Sequence, residues 1–170
     1  MVIVLGIDPG LANTGYGVVR RDGGRMVALD GGCITTAPGG PLEQRLSAIH
    51  EQVAELIDTH QPVAVAVEDL FYGRNVNSAF AVGQARGVVM LAAAQRDRPC
   101  AGYTPQAIKR AVCGSGRAPK DQVQRMVGRL LSLPEPPRPD HAADALAVAI
   151  CHAQDVRVTI DNRVRAPVAG

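Results

Sequence analysis

Three acidic residues mark places where an apolar run ends or turns. Asp8 closes Val2-Ile3-Val4-Leu5-Gly6-Ile7, Glu68 closes Val63-Ala64-Val65-Ala66-Val67, and Asp144 follows His141 by three residues in the apolar stretch His141-Ala142-Ala143-Asp144-Ala145-Leu146-Ala147. A carboxylate at the end of a buried element is costly unless something pairs with it, and a divalent cation is the simplest partner that could serve all three. Asp8, Glu68, His141 and Asp144 are therefore the candidate ligands of a metal-dependent active site. Hard carboxylate oxygens completed by water favour Mg²⁺ or Mn²⁺. Two such ions, ~3.5–4 Å apart, would place one on the attacking water and one on the leaving oxygen of a phosphodiester.

The four candidates carry unequal weight. Asp8 in Asp8-Pro9-Gly10 is by itself an ordinary turn residue. Glu68 says more, because a glutamate interrupts an Ala/Val pattern that otherwise seeks burial, whereas Asp69 alternates to the opposite face and is expected in solvent. His141 and Asp144 share one helical face. Asp140, directly after Pro139, is expected to cap the same helix rather than to bind metal. Histidine can ligate a divalent ion or carry a proton near neutral pH, and both roles stay open for His141.

The elements that must position these groups can be read from apolar spacing. The opening run is apolar on both faces, as a central strand requires. A second strand is expected from Tyr16 to Val19, a hairpin at Asp22-Gly23-Gly24, and a third strand toward Cys33-Ile34. Leu42, Leu46, Ile49, Val53, Leu56 and Ile57 recur at helical spacing after Pro41, and the strand Val63–Val67 follows. The next helix, about Ser78 to Arg96, is lined with small residues at Ala79, Ala81, Gly83, Ala85 and Gly87, which allow a close neighbour, a second copy of the helix included. A short strand is expected over Pro99–Tyr103. Thr104-Pro105 and Ala118-Pro119 open two more helices, and a last one runs from about Asp140 to His152. This is a mixed α/β domain. Residues 154–170 lack an apolar period and are expected to form a loose tail.

At 170 residues and 46% hydrophobic content the chain fits one core. Cys33, Cys100, Cys113 and Cys151 are far apart, with no Cys-x-x-Cys pair and no leader ahead of the first strand, so reduced thiols in the cytoplasm are the expectation. No apolar run approaches the ~20 residues needed to span a bilayer. The net charge of +2 hides an uneven distribution: residues 1–95 carry six basic and nine acidic side chains, residues 96–138 nine basic and three acidic. An acidic site bordered by a basic segment suits a polyanion held near bound metal, and a solvated basic helix face fits the charge equally well.

Gly6-Ile7-Asp8-Pro9-Gly10, Thr14-Gly15-Tyr16-Gly17, Val67-Glu68, Gly83-Gln84-Ala85-Arg86-Gly87 and Asp144-Ala145-Leu146-Ala147 together resemble the RuvC Holliday-junction resolvases of the RNase H-like superfamily, in collinear order from about residue 2 to residue 153. The resemblance implies a single RNase H-like domain over residues 1–153, with a mixed five-stranded sheet and helices on both faces. It implies Asp8, Glu68 and Asp144 as catalytic carboxylates, with His141 where many members carry a fourth acidic residue. It also implies basic positions near the cleaved strand at Lys109 and Lys120, a Mg²⁺ cofactor that Mn²⁺ can replace, a homodimer, four-way junction DNA as substrate, and a RuvA–RuvB branch-migration complex as partner. Lys120 begins a helix after Pro119, where a phosphate would meet both the ammonium and the helix N-terminus. Phe71, close after Glu68 and before Arg74-Asn75, is implied to stack on an unpaired base, a contact worth ~1–3 kcal/mol, with Arg74 and Asn75 on the DNA; Tyr72 has no assigned role.

Three other readings share some of these features. An RNase H-type hydrolase shares the carboxylates but would need 2′-hydroxyl contacts. A sugar-kinase or actin-like ATPase also opens with a strand, an Asp and a glycine turn, but needs a second domain for which 170 residues leave no room. A junction-binding protein without activity is opposed by the complete carboxylate set, which without metal would only repel DNA.

Overall fold

The central strand is β1 (Val2–Asp8), whose Val4, Leu5 and Ile7 are completely buried, as an uninterrupted apolar run requires. The computed structural model describes residues 1–69 and 76–164, with side chains over 1–69 and 79–155. β1, β2 (Asn13–Asp22) and β3 (Arg25–Thr35) form an antiparallel meander. Its β2–β3 hairpin turns through Gly23 at φ 58°, a left-handed conformation that glycine adopts without a Cβ clash. β2 starts at Asn13, ahead of Tyr16, because Thr14 is drawn inside: its hydroxyl donates to the Gly10 carbonyl at 2.6 Å and tightens the turn after Asp8.

Helix α1 (Leu42–His60) leads to β4 (Ala64–Glu68), and α2 (Val76–Ala94) leads to β5 (Cys100–Tyr103). β4 runs parallel to β1 and β5 parallel to β4, giving the order β3-β2-β1-β4-β5. Three helices follow: α3 (Pro105–Cys113), α4 (Lys120–Leu130) and α5 (Asp140–Val164). Thr104 caps α3 as the sequence predicts, its hydroxyl accepting from the Ala107 N–H at 3.2 Å. α5 continues past His152 into the stretch expected to be loose. The segment from 154 lacks an apolar stripe but has no Gly or Pro before Pro167, so nothing in it breaks the helix.

The sheet buries two cores. On one face Leu5, Ile7, Val18, Ile34, Val65 and Val67 meet α1 and α2 through Ile49, Val53, Ile57, Ala85 and Val89. On the other, Val4, Val19 and Ala66 meet α3, α4 and α5 through Ile108, Val112, Val123, Val127, Ala147 and Ile150. Each fully buried aliphatic side chain contributes roughly 1.5–3 kcal/mol over its exposed state. The α/β class, the mixed five-stranded sheet and helices on both faces are thus as the sequence predicts. Among the described residues no helix is long and apolar enough to cross a membrane.

Candidate metal centre

Strand alternation decides which face each carboxylate takes. β1 and β4 pair in register through Ile7 and Val67, so Asp8 and Glu68 lie side by side one residue further on, at the strand ends. Ile7 and Val67 point into the α1/α2 core, so Asp8 and Glu68 point the opposite way, toward α5. Asp8 pairs across with Gly15, and Gly15 with Cys33, which extends the row over β2 and β3. Burial, and after it the Asp8 charge, raises the Cys33 thiol pKa and keeps that sulfur neutral.

α5 completes the set because glycines let it lie on the sheet. A methyl group at Gly15 would run into the His141 carbonyl oxygen, one at Gly6 into the Ala145 carbonyl, and one at Gly17 would sit 2.7 Å from Leu146 Cγ. The start of α5 therefore rests on bare strand backbone. His141 Nδ1 lies 2.9 Å from Asp8 Oδ2, and ligand atoms of Asp8, His141 and Asp144 all fall within 4.8 Å of one another. With an ionised Asp8 as acceptor, Nδ1 is the donor of that bond, which leaves Nε2 as the ring atom facing outward for a cation or a proton. Glu68 stands beside this trio, in a cavity of about 240 Å³ that it lines with Lys109, Lys120, Asp144 and Ile108.

The charges in this space oppose one another. Burial, then the neighbouring charges of Asp8 and Asp144, push the Glu68 carboxyl up to about 7, with Lys120 and Lys109 pulling against them. Burial also raises Asp8, with the His141 hydrogen bond acting the other way. Lys120 Nζ donates to Asp144 Oδ2 at 3.1 Å and lies 3.6 Å from Asp140 Oδ2. Burial lowers the Lys120 pKa, but those two carboxylates outweigh it and the net shift is upward. Glu68 held up to about 7 with Asp8 raised beside it makes a donor set that a divalent cation would relieve, and oxygen donors with one imidazole fit a hard or borderline ion.

Two expectations need correcting. Asp140 does not cap α5: the Pro139 carbonyl receives the Ala142 and Ala143 N–H groups, so Asp140 is already in the first turn, and its carboxylate turns to α4, accepting from Gln124 at 3.0 Å. Asp69 does alternate to the far face, yet it is no free solvated group, since Arg86 Nη2 donates to its Oδ1 at 2.8 Å. Phe71, Tyr72, Arg74 and Asn75 lie outside the described residues. Sequence spacing alone missed the glycine seat under α5, although Gly6, Gly15 and Gly17 on facing strands were its signal.

The profile of the crossover junction endodeoxyribonuclease RuvC family matches residues 4–152. The chain belongs to the RuvC family. It is 55% identical over 152 residues to the crossover junction endodeoxyribonuclease RuvC of Moorella thermoacetica, covering 89% of this chain and 91% of that one. The corresponding protein of Pelotomaculum thermopropionicum is 52% identical, with 89% and 93% covered. The structure of Thermus thermophilus RuvC in complex with a Holliday junction substrate superposes with a TM-score of 0.89 at 40% identity, over 94% of this chain and 97% of that one. RuvC proteins are metal-dependent nucleases, and the carboxylate cluster of this member stands where strands β1 and β4 meet α5.

Proposed function

We infer that this protein is a Mg²⁺-dependent endonuclease that resolves four-way DNA junctions by paired symmetric nicks, in homologous recombination and repair. The observation that carries this reading is the meeting of Asp8, His141 and Asp144 within one ligand-sized space, with Glu68, Lys109 and Lys120 around the adjoining cavity, in a chain of the RuvC family. Asp8, Glu68, His141 and Asp144 would hold the metal, Mg²⁺ or Mn²⁺. Bound there, divalent ions supply Lewis-acid activation of water and stabilise the leaving oxygen, giving 5′-phosphate and 3′-hydroxyl ends. Lys120, at the first turn of α4, offers an ammonium and nearby backbone N–H groups to a strand phosphate, and Lys109 offers a second cation across the cavity. Phe71, Arg74 and Asn75 are assigned to the junction on sequence grounds.

A homodimer is part of this reading. Phe80, Gly83, Gly87, Met90, Leu91 and Ala94 form an exposed stripe along α2, with Phe80 at 69% and Leu91 at 50% exposure. Large apolar groups interleaved with glycines on the exposed face of one helix suit a two-fold contact with the same helix of a second copy, which would present two equal sites to a nearly two-fold junction. A RuvA–RuvB branch-migration complex is the proposed partner, and the four free cysteines fit a cytoplasmic setting.

The test is cleavage of a labelled mobile four-way junction with Mg²⁺, beside linear duplex and RNA–DNA hybrid, by the wild type and Asp8→Asn. Symmetric nicks confined to the junction, lost in Asp8→Asn while junction binding persists, are expected. Cutting of the hybrid, or binding without cutting, would replace this reading with a hydrolase of RNA or a binding protein.

A further inference from the structure

Glu68 is the one candidate ligand on the short strand β4, and the chain beyond it must be held for its carboxylate to face Asp8. On the α2 side of the sheet, the residue after Glu68 is tied down three ways. The Asp69 N–H donates to the Tyr103 carbonyl at 2.8 Å, which extends the β4–β5 pairing by a residue. The Asp69 carboxylate lies directly on Gly102 of β5, where any Cβ would collide with both of its oxygens. Arg86, from the middle of α2, then clamps that carboxylate with Nη2 at 2.8 Å while its Nη1 reaches Met90 Sδ at 3.2 Å.

The ion pair is a poor stabiliser. Both side chains are about a third exposed, at 30% and 37%, where such pairs add little, and the Arg86 Nε is buried without a partner among the described residues, which costs free energy. An arrangement that needs a bare glycine beneath it, and a guanidinium nitrogen with no partner among the described residues, is better explained by what it fixes than by what it stabilises.

We propose that Arg86 is a positioning residue: through Asp69, seated on Gly102, it locks the end of β4 to α2 and so sets the Glu68 carboxylate against the metal cluster. The inference rests on the metal-site reading above and adds to it a control point on the far face of the sheet. Arg86 touches neither metal nor DNA in this role. Its loss acts on metal affinity through Glu68, not on the bulk of the fold.

The experiment is Mn²⁺ titration of the full-length, DNA-free protein followed by electron paramagnetic resonance of the free ion, with thermal melting on the same samples. Asp8→Asn establishes which binding belongs to the cluster. Arg86→Gln and Asp69→Asn are each expected to weaken Asp8-dependent binding about fivefold, short of the ~10–100-fold typical of groups bonded directly to a ligand. The double variant should be no weaker than either single, since both remove one link. Gly102→Ala, which leaves both charged groups in place, should give the same loss by pushing Asp69 off its seat, and Arg86→Lys should restore part of it. Asp8-dependent binding that Arg86→Gln and Gly102→Ala leave unchanged, or losses that add in the double variant, would overturn the tether alone. Mn²⁺ binding indifferent to Asp8→Asn would overturn the metal-site reading and the tether with it.

Discussion

Strands β1, β2 and β4 offer opposite materials to their two faces. Toward α1 and α2 they present Leu5, Ile7, Val18, Val65 and Val67, and the helices answer with Ile49, Val53, Ile57 and Val89. Toward α5 they present Gly6, Gly15, Gly17 and Ala66 beside Val4 and Val19, and at the glycines that helix answers with His141, Ala145, Leu146 and Ala149. The first face buries large side chains, and its helices stand off by the length of those side chains. The second lets the backbone of α5 approach the strand backbone at Gly6 and Gly15, which leaves the turn carrying His141 and Asp144 little room to shift. Apart from the proposed Arg86–Asp69 clamp, large side chains are buried on one side of these strands and close backbone contacts are made on the other, and the chemistry sits on the side of the close contacts.

The division can be broken from the energetic side first. Ile49 is fully buried on α1, and Ile49→Ala should destabilise the protein by about 2–5 kcal/mol through lost transfer energy and a cavity. Because Ile49 lies on α1, which carries neither a candidate ligand nor the Arg86 clamp, junction cleavage well below the melting temperature should stay within about twofold of wild type, while chemical denaturation shows the full loss. A comparable fall in cleavage rate at a temperature where the variant is folded would mean that the two faces are not separable.

Breaking the other side should invert the pattern. Gly15→Ala forces a methyl group against the His141 carbonyl, a backbone atom that can yield only if α5 shifts. A displacement of about 1 Å can lower a rate roughly 100-fold, so cleavage should fall on that scale, whereas overpacking costs about 1–3 kcal/mol in stability. Single-turnover cleavage and denaturant unfolding on one preparation measure both.

The pH dependence of the metal-free protein sharpens the same contrast. Glu68 has its carboxyl raised from 4.5 to about 7 in the folded state, so between those values the folded protein holds a proton that the unfolded chain has released. Stability that is present below about 4.5 is therefore lost as pH rises through 7, by about 2 kcal/mol after allowance for partial solvent access. Asp8 is raised in the same direction. In EDTA, melting should be lower at pH 8 than at pH 5, and Glu68→Gln should remove most of that difference while abolishing cleavage. A metal-free melting temperature that climbs from pH 5 to pH 8 would show that the carboxylates are not crowded as the geometry has them.

How much of this could be read from the chain depends on whether a residue's role is local. The candidates Asp8, Glu68, His141 and Asp144 could be picked out because they stand at or inside apolar runs within a few neighbours, and the Thr104 cap because capping is decided within three residues. Asp140 misled because a favourable cap residue after a proline is also a good first-turn residue, and only the Pro139 carbonyl, with the position of α4, distinguishes the two. Asp69 misled because alternation gives a face but no partner, and Arg86 comes from a helix seventeen positions on. The glycine seat needed the register between β1 and β2 and the path of α5 together, which no window of one strand contains.

The smallest expected effect tests whether the basic side of the cavity shares the accuracy of the α5 face. Lys109 sits in the second turn of α3, and the only side-chain cap of that helix is Thr104, whose hydroxyl accepts from Ala107 at 3.2 Å. Thr104→Ala should cost about 1 kcal/mol, the usual price of a lost N-cap, since Pro105 and the burial of Ile108 and Val112 keep the helix formed. If α3 needs only to deliver a charge into the cavity, a frayed first turn leaves Lys109 within reach of a phosphate and cleavage changes by less than about threefold, with the loss appearing as weaker junction binding at higher salt. If cleavage instead falls as far as in Gly15→Ala, Lys109 is held as tightly as the carboxylates, and positional accuracy extends beyond the glycine-lined strands to the helix across the cavity from Glu68.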